Sequence, residues 1–277
     1  MIILLFFLLV FLICFYLYAQ NTFLEYNVHN IYNTNIPEEL KGFKVSQISD
    51  FHNVKSKILV DSIIENLEEE KPNIIVITGD LVDAHKTDIV AALDFVENIK
   101  EIAPIYYVTG NHEAGIKERY KELEYGLKEL GVIILDNETE VIEYNNIKIN
   151  IVGINDLNID KLGFKGANRR VHKQLDLARY DTENYTILLS HRPDYLYIFS
   201  QRDIDFVFSG HYHGGQIRLF GQGLMSPNRD WFPEYTSGIK VKEDTTMILS
   251  RGIGNSVFPF RVNNRPELVT VIFESSN

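Results

Sequence analysis

The segment 43–113 contains three apolar runs that each end in a polar side chain: FKVSQISD (43–50), NIIVITGD (73–80) and PIYYVTGN (104–111). Each run is short and rich in β-branched residues, and each is followed by a segment with apolar residues at i, i+3 and i+4. This is the pattern of a buried strand and then an amphipathic helix. The predicted helices cover 56–70, 87–100 and 117–130.

Further apolar runs continue this pattern to the C-terminus, and no sharp boundary divides the segment 42–277, which is predicted to be one domain. Alternating strands and helices followed by mostly β structure predict an α/β fold of layered sheets flanked by helices. We predict strands at 131–136, 147–153, 186–190, 205–210, 246–250 and 268–274, a helix near 168–179 and a helix from Pro193.

Composition excludes several classes of protein. The chain has 277 residues, 45% of them apolar, a single Cys and a net charge of -11. One Cys excludes an internal disulfide framework and a cysteine-based zinc cluster, so a metal site must use His, Asp, Asn and Glu. The acidic excess argues against a nucleic-acid partner, because binding to the phosphate backbone needs a surplus of Lys and Arg.

Residues 2–19 form an uncharged and strongly apolar run. Its length matches the hydrocarbon core of a bilayer, and Tyr16 and Tyr18 suit the membrane interface, so we predict a transmembrane anchor over residues 1–20. The alternative is a cleaved secretory signal. No basic region precedes the run, however, and Leu17 and Ala19 fit the small-residue cleavage rule poorly.

Residues 21–41 are predicted to be a connector that begins with an edge strand. No Lys or Arg follows the anchor until Lys41, so nothing in the sequence holds that side in the cytoplasm. We therefore predict a single-pass membrane protein with its N-terminus inside and its main domain extracytoplasmic.

Five apolar runs end in a residue that can bind a metal ion: Asp50, Asp80, Asn111, His191 and His211. Functional sites in α/β sheets gather beyond the carboxyl ends of strands, so we expect these side chains to converge on one crevice. His52 and His213 each lie two residues beyond one of them. A single motif histidine would usually be a hydrogen-bonded or surface residue, but the ordered set predicts a metal site.

In this order the residues resemble the signature of the calcineurin-like metallophosphoesterases, which is D-x-H, G-D-x-x-D, G-N-H-[DE], a later His, and G-H-x-H. The resemblance covers residue 43 to about 216 and includes every ligand. Gly214-Gly215-Gln216 and the tail 251–267 are similar to the membrane-associated bacterial branch, which includes enzymes that cleave UDP-diacylglucosamine at its pyrophosphate. The signature stands here as Asp50-Phe51-His52, Gly79-Asp80-Leu81-Val82-Asp83, Gly110-Asn111-His112-Glu113, His191 and Gly210-His211-Tyr212-His213.

The resemblance implies a four-layer α-β-β-α sandwich of two mixed sheets flanked by helices, and a site for two divalent metal ions. Oxygen and imidazole ligands suit Mn²⁺, Fe or Zn²⁺. Two such ions would lower the pKa of a bridging water and clamp the phosphoryl oxygens. The implied ligands are Asp50, His52 and His213 for one metal ion, Asn111, His191 and His211 for the other, and Asp80 bridging both.

Two further motif residues are assigned to catalysis. His112 is not needed as a ligand, and we assign it as the general acid that protonates the leaving oxygen. Asp83 resembles the family carboxylate that orients this histidine and raises its pKa. The alternative for Asp83 is a helix N-cap before the segment 87–100. Asp156 could reach the cleft from a strand end, but we interpret it as a turn carboxylate.

The sequence thus predicts a membrane-anchored phosphohydrolase that cleaves a phosphodiester or pyrophosphate bond. The anchor favours a small-molecule or lipid-linked phosphoester, such as a nucleotide-sugar lipid, and the net charge argues against a nuclease. One alternative is an unspecific phosphodiesterase or phosphomonoesterase. The other is a non-catalytic, metal-stabilised envelope binding module, which is disfavoured because no ligand is missing. We expect a monomer.

The C-terminal third intersperses arginines with aromatic residues. Arginine forks pair well with phosphate, and aromatic faces can stack on a base or line an acyl groove. Scattered residues of these types also belong to ordinary surface and β-core, so both interpretations stay open. The residues are Arg218, Arg229, Arg251, Arg261 and Arg265 among Trp231, Phe232, Tyr235, Phe258 and Phe260.

Overall fold

The computed structural model describes residues 1–33, 35–156, 162–255 and 258–275. Its first half contains, in chain order, α1 (Ile2–Thr22), β1 (Glu25–Asn33), β2 (Lys44–Ile48), α2 (Lys57–Glu70), β3 (Ile74–Thr78), α3 (Ile89–Ile99), β4 (Ile105–Val108), α4 (Asn111–Gly115), α5 (Tyr120–Glu129), β5 (Ile133–Ile134) and β6 (Glu138–Tyr144). The second half contains β7 (Ile147–Ile154), α6 (Gly163–Ala178), β8 (Tyr185–Ser190), α7 (Leu196–Phe199), β9 (Phe206–Ser209), β10 (Arg218–Leu219), β11 (Gln222–Gly223), β12 (Gly238–Lys242), β13 (Thr245–Leu249) and β14 (Glu267–Ser275).

The described strands form two six-stranded mixed sheets and one small hairpin. The first sheet has the order β1-β14-β2-β3-β4-β5, the second has the order β12-β13-β9-β8-β7-β6, and β10 pairs with β11. Strands β2, β3 and β4 are parallel to one another, as are β7, β8 and β9. Parallel neighbours bring their carboxyl ends to the same edge of a sheet, which is where the polar motif residues follow.

Three apolar clusters separate the layers. Side chains of α2, α3 and α5 pack on the outer face of the first sheet. A central cluster, including Val45, Val76, Ile187 and Phe208, lies between the two sheets. Side chains of α6 and α7 cover the outer face of the second sheet. The chain is therefore the four-layer α-β-β-α sandwich that the resemblance implies, and this expectation is confirmed.

Local signals explain where two of the outer helices begin. The Ser56 hydroxyl caps α2 by accepting a hydrogen bond from the Leu59 amide, and Asp88 caps α3 by accepting one from the Ala91 amide. A side chain at the N-cap satisfies an amide that the helix leaves without a partner. Since Asp88 holds this position, the alternative that Asp83 is the N-cap of α3 is wrong.

The largest departures from the predicted strands are at sheet edges. Strands β6 and β12, which pair only with β7 and β13, are absent from the sequence prediction. Half of such a strand faces solvent, so β6 carries Glu138, Glu140 and Glu143 and lacks a continuous apolar run. The edge strand expected at the start of the connector is present as β1, at the edge of the first sheet, and Leu40 near the end of the connector is buried in the central cluster.

The helix α1 is long and apolar enough to cross a membrane by length and composition. The described structure leaves its apolar side chains exposed, which distinguishes it from a helix of the protein core. Its carboxyl-terminal part contacts the remaining structure through hydrogen bonds of Tyr16, Gln20 and Asn21.

Candidate metal centre

The predicted ligands meet at the carboxyl ends of five strands. Asp50, Asp80 and Asn111 follow β2, β3 and β4 of the first sheet, while His191 and His211 follow β8 and β9 of the second. His52 and His213 complete the set. All of these side chains except Asn111, which is half-buried, are buried at the junction of the two sheets. The structure therefore brings all seven predicted ligand residues together.

The backbone turns sharply at this junction. Asp50, His52, Asp80, His211 and His213 all adopt a positive φ, between 46° and 74°. Such angles are uncommon for residues other than Gly and cluster where a side chain is held in a functional position.

A glycine permits the closest approach between the sheets. A Cβ at Gly210 would lie 1.8 Å from Oγ of Ser49 and 2.5 Å from Oδ2 of Asp50. Any side chain here would force apart the two strand-end loops that carry Asp50 and His211.

One cluster consists of Asp50, His52 and His213, whose ligand atoms lie within 4.8 Å of one another. Nε2 of His213 is 3.3 Å from Oδ1 of Asp50 and 3.2 Å from Nε2 of His52. Nδ1 of His213 faces the carbonyl oxygen of Gly254 at 3.3 Å, so we place the ring proton there. The lone pair of Nε2 then points into the cluster, as a metal ligand requires.

The second cluster consists of Asp80, His191 and His211, again within 4.8 Å. Nε2 of His191 lies 3.1 Å from Nδ1 of His211 and 3.2 Å from Oδ1 of Asn111. Nδ1 of His191 faces the carbonyl oxygen of Thr78 at 2.8 Å, which orients the ring. A second hydrogen bond of this kind is the usual support of a histidine that binds a metal ion.

Asp80 connects the two clusters. Its Oδ2 lies 3.3 Å from Nε2 of His191 in one cluster and 3.7 Å from Nε2 of His52 in the other. Its Oδ1 accepts a hydrogen bond from the backbone amide of His112 at 2.8 Å. One carboxylate oxygen is thus held by the backbone, and the other is directed at both sets of ligands.

Electrostatics keep most of the imidazoles in the neutral form that binds metal ions. Burial lowers the pKa of His52 to about 3 against the opposing effect of Asp80, and burial and the nearby Arg261 lower the pKa of His213 to about 3. Burial, reinforced by a neighbouring arginine, also holds the pKa of His211 well below its usual range.

His191 is the exception. Although its burial opposes the charged form, the Asp80 carboxylate raises the pKa of His191 to about 10. The carboxylate thus favours positive charge at Nε2 of His191. A divalent cation would supply that charge and displace the proton. A donor set of carboxylate oxygens, an amide oxygen and neutral imidazoles fits divalent transition metals.

The environment of Asp83 differs from the one implied by the resemblance. Nδ1 of His112 accepts a hydrogen bond from the Ala84 amide at 2.9 Å. The Asp83 carboxylate accepts hydrogen bonds from the amides of His85 and Lys86, and its Oδ2 lies 3.9 Å from Nδ1 of His52. That nitrogen of His52 is buried and has no hydrogen-bond partner among the residues that the structure describes. The backbone turn after Asp83 therefore gives His112 a different partner and turns the carboxylate towards His52.

Glu113 supports the site, although the sequence analysis assigned it no role. Its buried carboxylate accepts hydrogen bonds from the amides of Asp80 at 2.8 Å, Gly110 at 2.7 Å and Val82 at 3.2 Å. It thereby ties the loop after β3 to the loop after β4. Burial and the neighbouring Asp80 carboxylate raise the pKa of Glu113 to about 7. Its position in G-N-H-E was the available signal, but its partners are backbone amides that no motif displays.

Two buried arginines were also missed as supports of the site. Arg192 donates from Nε to Oδ2 of Asp156 at 2.5 Å, and its NH1 lies 3.2 Å from Nε2 of His211. Asp156 is therefore the buried partner of an arginine behind a predicted ligand, which corrects its interpretation as a turn carboxylate. The fully buried Arg261 donates to the carbonyl oxygens of Arg251 and Gly254 and lies behind His213.

Glu113→Gln is expected to destabilise the site because Gln offers one acceptor oxygen where three amides need partners. We expect a loss of about 2 kcal/mol in the free energy of unfolding, the cost of leaving a buried amide unsatisfied. Thermal unfolding of the detergent-solubilised protein measures this. Glu118→Gln is the control, because Glu118 is exposed and only pairs with Lys121. Equal stability of the two variants would contradict the role given to Glu113.

Two cavities reach the ligands from different sides. One of about 600 Å³ includes His52, Lys55, Lys86 and His112 in its lining. Another, of about 360 Å³, lies against Asn111, His211 and His213 and extends past Met225, Arg229 and Phe258. His85 and His112 line both cavities. A bound phosphoester can therefore extend in two directions from the ligand clusters.

Comparisons with known proteins agree with this geometry. The sequence model of a family described as calcineurin-like phosphoesterase matches residues 43–215. An uncharacterised metallophosphoesterase of Bacillus subtilis, YkuE, is 28% identical over 94% of this chain and 89% of its own length. The phosphodiesterase YaeI of Escherichia coli is 28% identical over 82% of this chain and 80% of its own. Among solved structures, the sulfate thiohydrolase SoxB of Thermus thermophilus shares the fold, with a TM-score of 0.50 and 13% identity over 77% of this chain and 52% of its own.

Proposed function

The chain belongs to the calcineurin-like phosphoesterase family of metal-dependent enzymes, and we propose that it hydrolyses a phosphodiester or pyrophosphate bond at a two-metal centre held on a membrane anchor. The observation that carries the proposal is the position of one carboxylate, Asp80, whose ligand atom lies within 4.8 Å of those of His191 and His211 on one side and of His52 and His112 on the other. The similarity to YaeI, a phosphodiesterase, supports a diester as the substrate.

Each ligand set takes side chains from both sheets. Two divalent ions bound there would activate water as a nucleophile at neutral pH and neutralise charge on the phosphoryl group. The protein orients these ligands through the hydrogen bonds of His191 to Thr78 and of His213 to Gly254. In the proposal, Asp50, His52 and His213 hold one ion, Asn111, His191 and His211 hold the other, and Asp80 lies between them.

His112 is proposed to act on the substrate rather than as a ligand. Because Nδ1 accepts from the Ala84 amide, the proton of the neutral ring is placed on Nε2. Nε2 faces the clusters, 3.9 Å from Oδ2 of Asp80, and is in position to donate to the leaving-group oxygen.

We propose that Asp83 orients His52. Asp83→Asn keeps an oxygen for the amides of His85 and Lys86 but removes the negative charge near Nδ1 of His52. We expect metal affinity to fall about 10- to 100-fold, as when other outer partners of metal ligands are removed. A metal titration of both proteins, with activity as the readout, measures the change in metal affinity. If Asp83 acted only through His112, its replacement would slow turnover at saturating metal and leave the affinity unchanged.

The helix α1 is proposed to be the anchor, with the phosphoesterase domain on the extracytoplasmic side. Its length and composition suit a bilayer, and no Lys or Arg follows it before Lys41. The substrate is then a phosphoester of the cell envelope.

The full chain in detergent provides the test of the proposed activity. We expect two metal ions per chain by mass spectrometry, and Mn²⁺-dependent hydrolysis of bis(4-nitrophenyl) phosphate that EDTA abolishes. Faster hydrolysis of 4-nitrophenyl phosphate would instead identify a phosphomonoesterase. Two bound metal ions without hydrolysis of either ester would identify a binding module and overturn the proposal.

A further inference from the structure

The helix α1 ends at the same edge of the first sheet as the metal ligands. Strand β1 begins at Glu25, three residues after α1, and runs parallel to β14, which is antiparallel to β2. The first residue of β1 therefore lies at the edge where the carboxyl end of β2 presents Asp50. An ion pair of Arg251 with Glu25, 2.8 Å long, fastens this end of β1 beside the site.

Hydrogen bonds join the end of α1 to the loop that supports His213. Tyr16 donates from its hydroxyl to Oδ1 of Asn263 at 2.7 Å, and the Asn264 amide donates to Oε1 of Gln20 at 3.0 Å. The side chain of Asn264 in turn donates to the carbonyl oxygen of His213 at 2.7 Å. A single residue, Asn264, therefore connects the helix to a proposed metal ligand.

The same loop connects α1 to the segment 217–235. Asn263 donates to the carbonyl oxygen of Arg218 at 3.2 Å, and Ile217 forms a β-bridge with Val262. From Ile217 the backbone hydrogen bonds continue through Leu224 to Phe232, each 2.9 Å long. The segments 217–235 and 258–264 thus form one hydrogen-bonded surface beside the end of α1.

This surface carries an unusual set of exposed side chains, which we call the aromatic rim. Most of the Phe side chains that the structure describes in the domain are buried, as expected for a packed core. Among the side chains that the structure describes after α1, every exposed Phe or Trp lies on the two segments or at the end of α1 itself. The aromatic rim consists of Phe23, Phe220, Trp231, Phe232, Phe258 and Phe260.

We infer that the aromatic rim lies in the headgroup region of the bilayer that holds α1, so that the metal centre opens at the membrane surface. The inference rests on the proposed anchoring and adds a second contact with the membrane. Trp concentrates at the level of lipid headgroups, and Phe commonly supplies the apolar face of segments that lie at the boundary between headgroups and acyl chains. Hydrogen bonds connect Tyr16 of α1 to the surface that carries Phe232. Because α1 is proposed to lie in the bilayer, the rim beside its end contacts the same bilayer.

Charge on the two segments permits this contact. Apart from the buried Arg261, they contain Arg218 and Arg229 against Asp230 and Glu234, a balance of zero in a chain of net charge -11. An anionic headgroup region is therefore not repelled by this face, as it would be by the acidic remainder.

The rim also borders the metal centre. Phe258 and Arg229 line the cavity of about 360 Å³ that contains His112 and His211. An amphiphilic phosphoester can keep its apolar part among the lipids while its phosphate reaches the ligands through this cavity. The substrate class that the geometry favours is a phosphoester resident in the membrane.

The single Trp of the chain reports directly on the rim. We would reconstitute the full protein in phosphatidylcholine–phosphatidylglycerol vesicles, with or without lipids brominated near the headgroup. Brominated lipids are expected to remove most of the emission of Trp231, and aqueous iodide is expected to remove little. Trp231 is 69% exposed in the protein itself, so protection from iodide would come from the membrane.

A second variant gives the matched control. Tyr32→Trp in the Trp231→Phe background places the only tryptophan at a position of similar exposure, 67%, on β1. Position 32 lies seven residues beyond Glu25, about 23 Å farther along the strand from the end of α1. Its emission is expected to be quenched several-fold more by iodide than that of Trp231, and to be insensitive to brominated lipids.

The outcomes separate the inference from the proposed function. Protein that floats with vesicles but shows equal iodide quenching at positions 231 and 32 would overturn the rim contact and leave the anchor intact. Protection of Trp231 from iodide without quenching by brominated lipids would show that another protein or a second copy of this chain covers the rim. That result would also overturn the contact between the rim and the bilayer. Protein that does not float would overturn the anchor and the rim together, while hydrolysis of bis(4-nitrophenyl) phosphate would still report the enzyme.

A pair of esters that have the same leaving group, 4-nitrophenolate, tests whether substrate is supplied from the membrane. The double variant Trp231→Ser with Phe232→Ser is expected to lose about tenfold of the hydrolysis of hexadecyl 4-nitrophenyl phosphate held in vesicles, equivalent to about 1.4 kcal/mol. Hydrolysis of water-soluble bis(4-nitrophenyl) phosphate should not change. Equal activity of the variant and the parent protein on both esters would overturn delivery from the membrane.

Discussion

Asp80→Asn is expected to reduce phosphodiester hydrolysis by about 10³-fold or more, the upper range for losing one preorganised electrostatic contact, and to lower the metal content. The substitution preserves size and shape. Oδ1 can still accept from the His112 amide, but an NH₂ group replaces the oxygen that faces His191 and His52. An amide nitrogen cannot bind a cation, so both clusters lose the ligand that they share.

The best control is another carboxylate of the same sheet system. Asp205 lies at the amino end of β9, opposite to His211, and accepts a hydrogen bond from the Thr186 amide at 2.7 Å. Burial and the nearby Asp203 and Asp244 raise the pKa of Asp205 to about 6. Because the native pKa exceeds the unfolded value, the charged carboxylate costs stability above that pH, and the cost disappears in acid.

Asp205→Asn is therefore expected to keep its metal and its activity, and to be at least as stable as the parent at pH 7. Metal analysis and hydrolysis of bis(4-nitrophenyl) phosphate, measured on both variants, decide the matter. Normal turnover by Asp80→Asn would contradict the proposal that both clusters share Asp80 as a ligand. Equal losses in both variants would show only that the fold is sensitive to Asp replacement.

The sequence was most informative where local pattern and chemistry coincide. Strands β2, β3 and β4 are buried on both faces. Strands β3 and β4 are therefore almost wholly apolar, β2 places Ser46 and Gln47 between apolar residues, and polar ligand residues follow all three strands. The topology of parallel strands then brings those ends together. The edge strand β6 has neither property, because it is half exposed and carries three glutamates among its seven residues.

Supporting residues were less predictable because their partners are distant in sequence or belong to the backbone. Glu113 accepts hydrogen bonds from amides that are 31 and 33 residues away in sequence. Arg261 packs behind His213 although the two residues are 48 positions apart in sequence. The partner of Asp83 depends on a local turn that rotates its carboxylate towards His52 and leaves the Ala84 amide facing His112. A motif specifies which residues are present, whereas such contacts depend on the conformation of the turn.

His112→Ala is expected to retain bound metal and to slow substrates with poor leaving groups about 10²-fold more than nitrophenyl esters. The imidazole is not among the proposed ligands, yet it lines both cavities and its Nε2 faces Asp80. A nitrophenolate departs without help because its charge is delocalised. An alkoxide needs a donor at the leaving oxygen, and Nε2 is the donor that the Ala84 hydrogen bond makes available.

His85→Ala provides the comparison that isolates this effect. His85 lines the same two cavities and its ring lies 6.1 Å from that of His112, but it is exposed and outside the motif. Its loss should affect alkyl and nitrophenyl diesters equally and only slightly. If His112→Ala slowed both esters by the same factor, His112 would stabilise a state common to both reactions, such as charge on the phosphoryl oxygens, and donation to the leaving group would have to be abandoned.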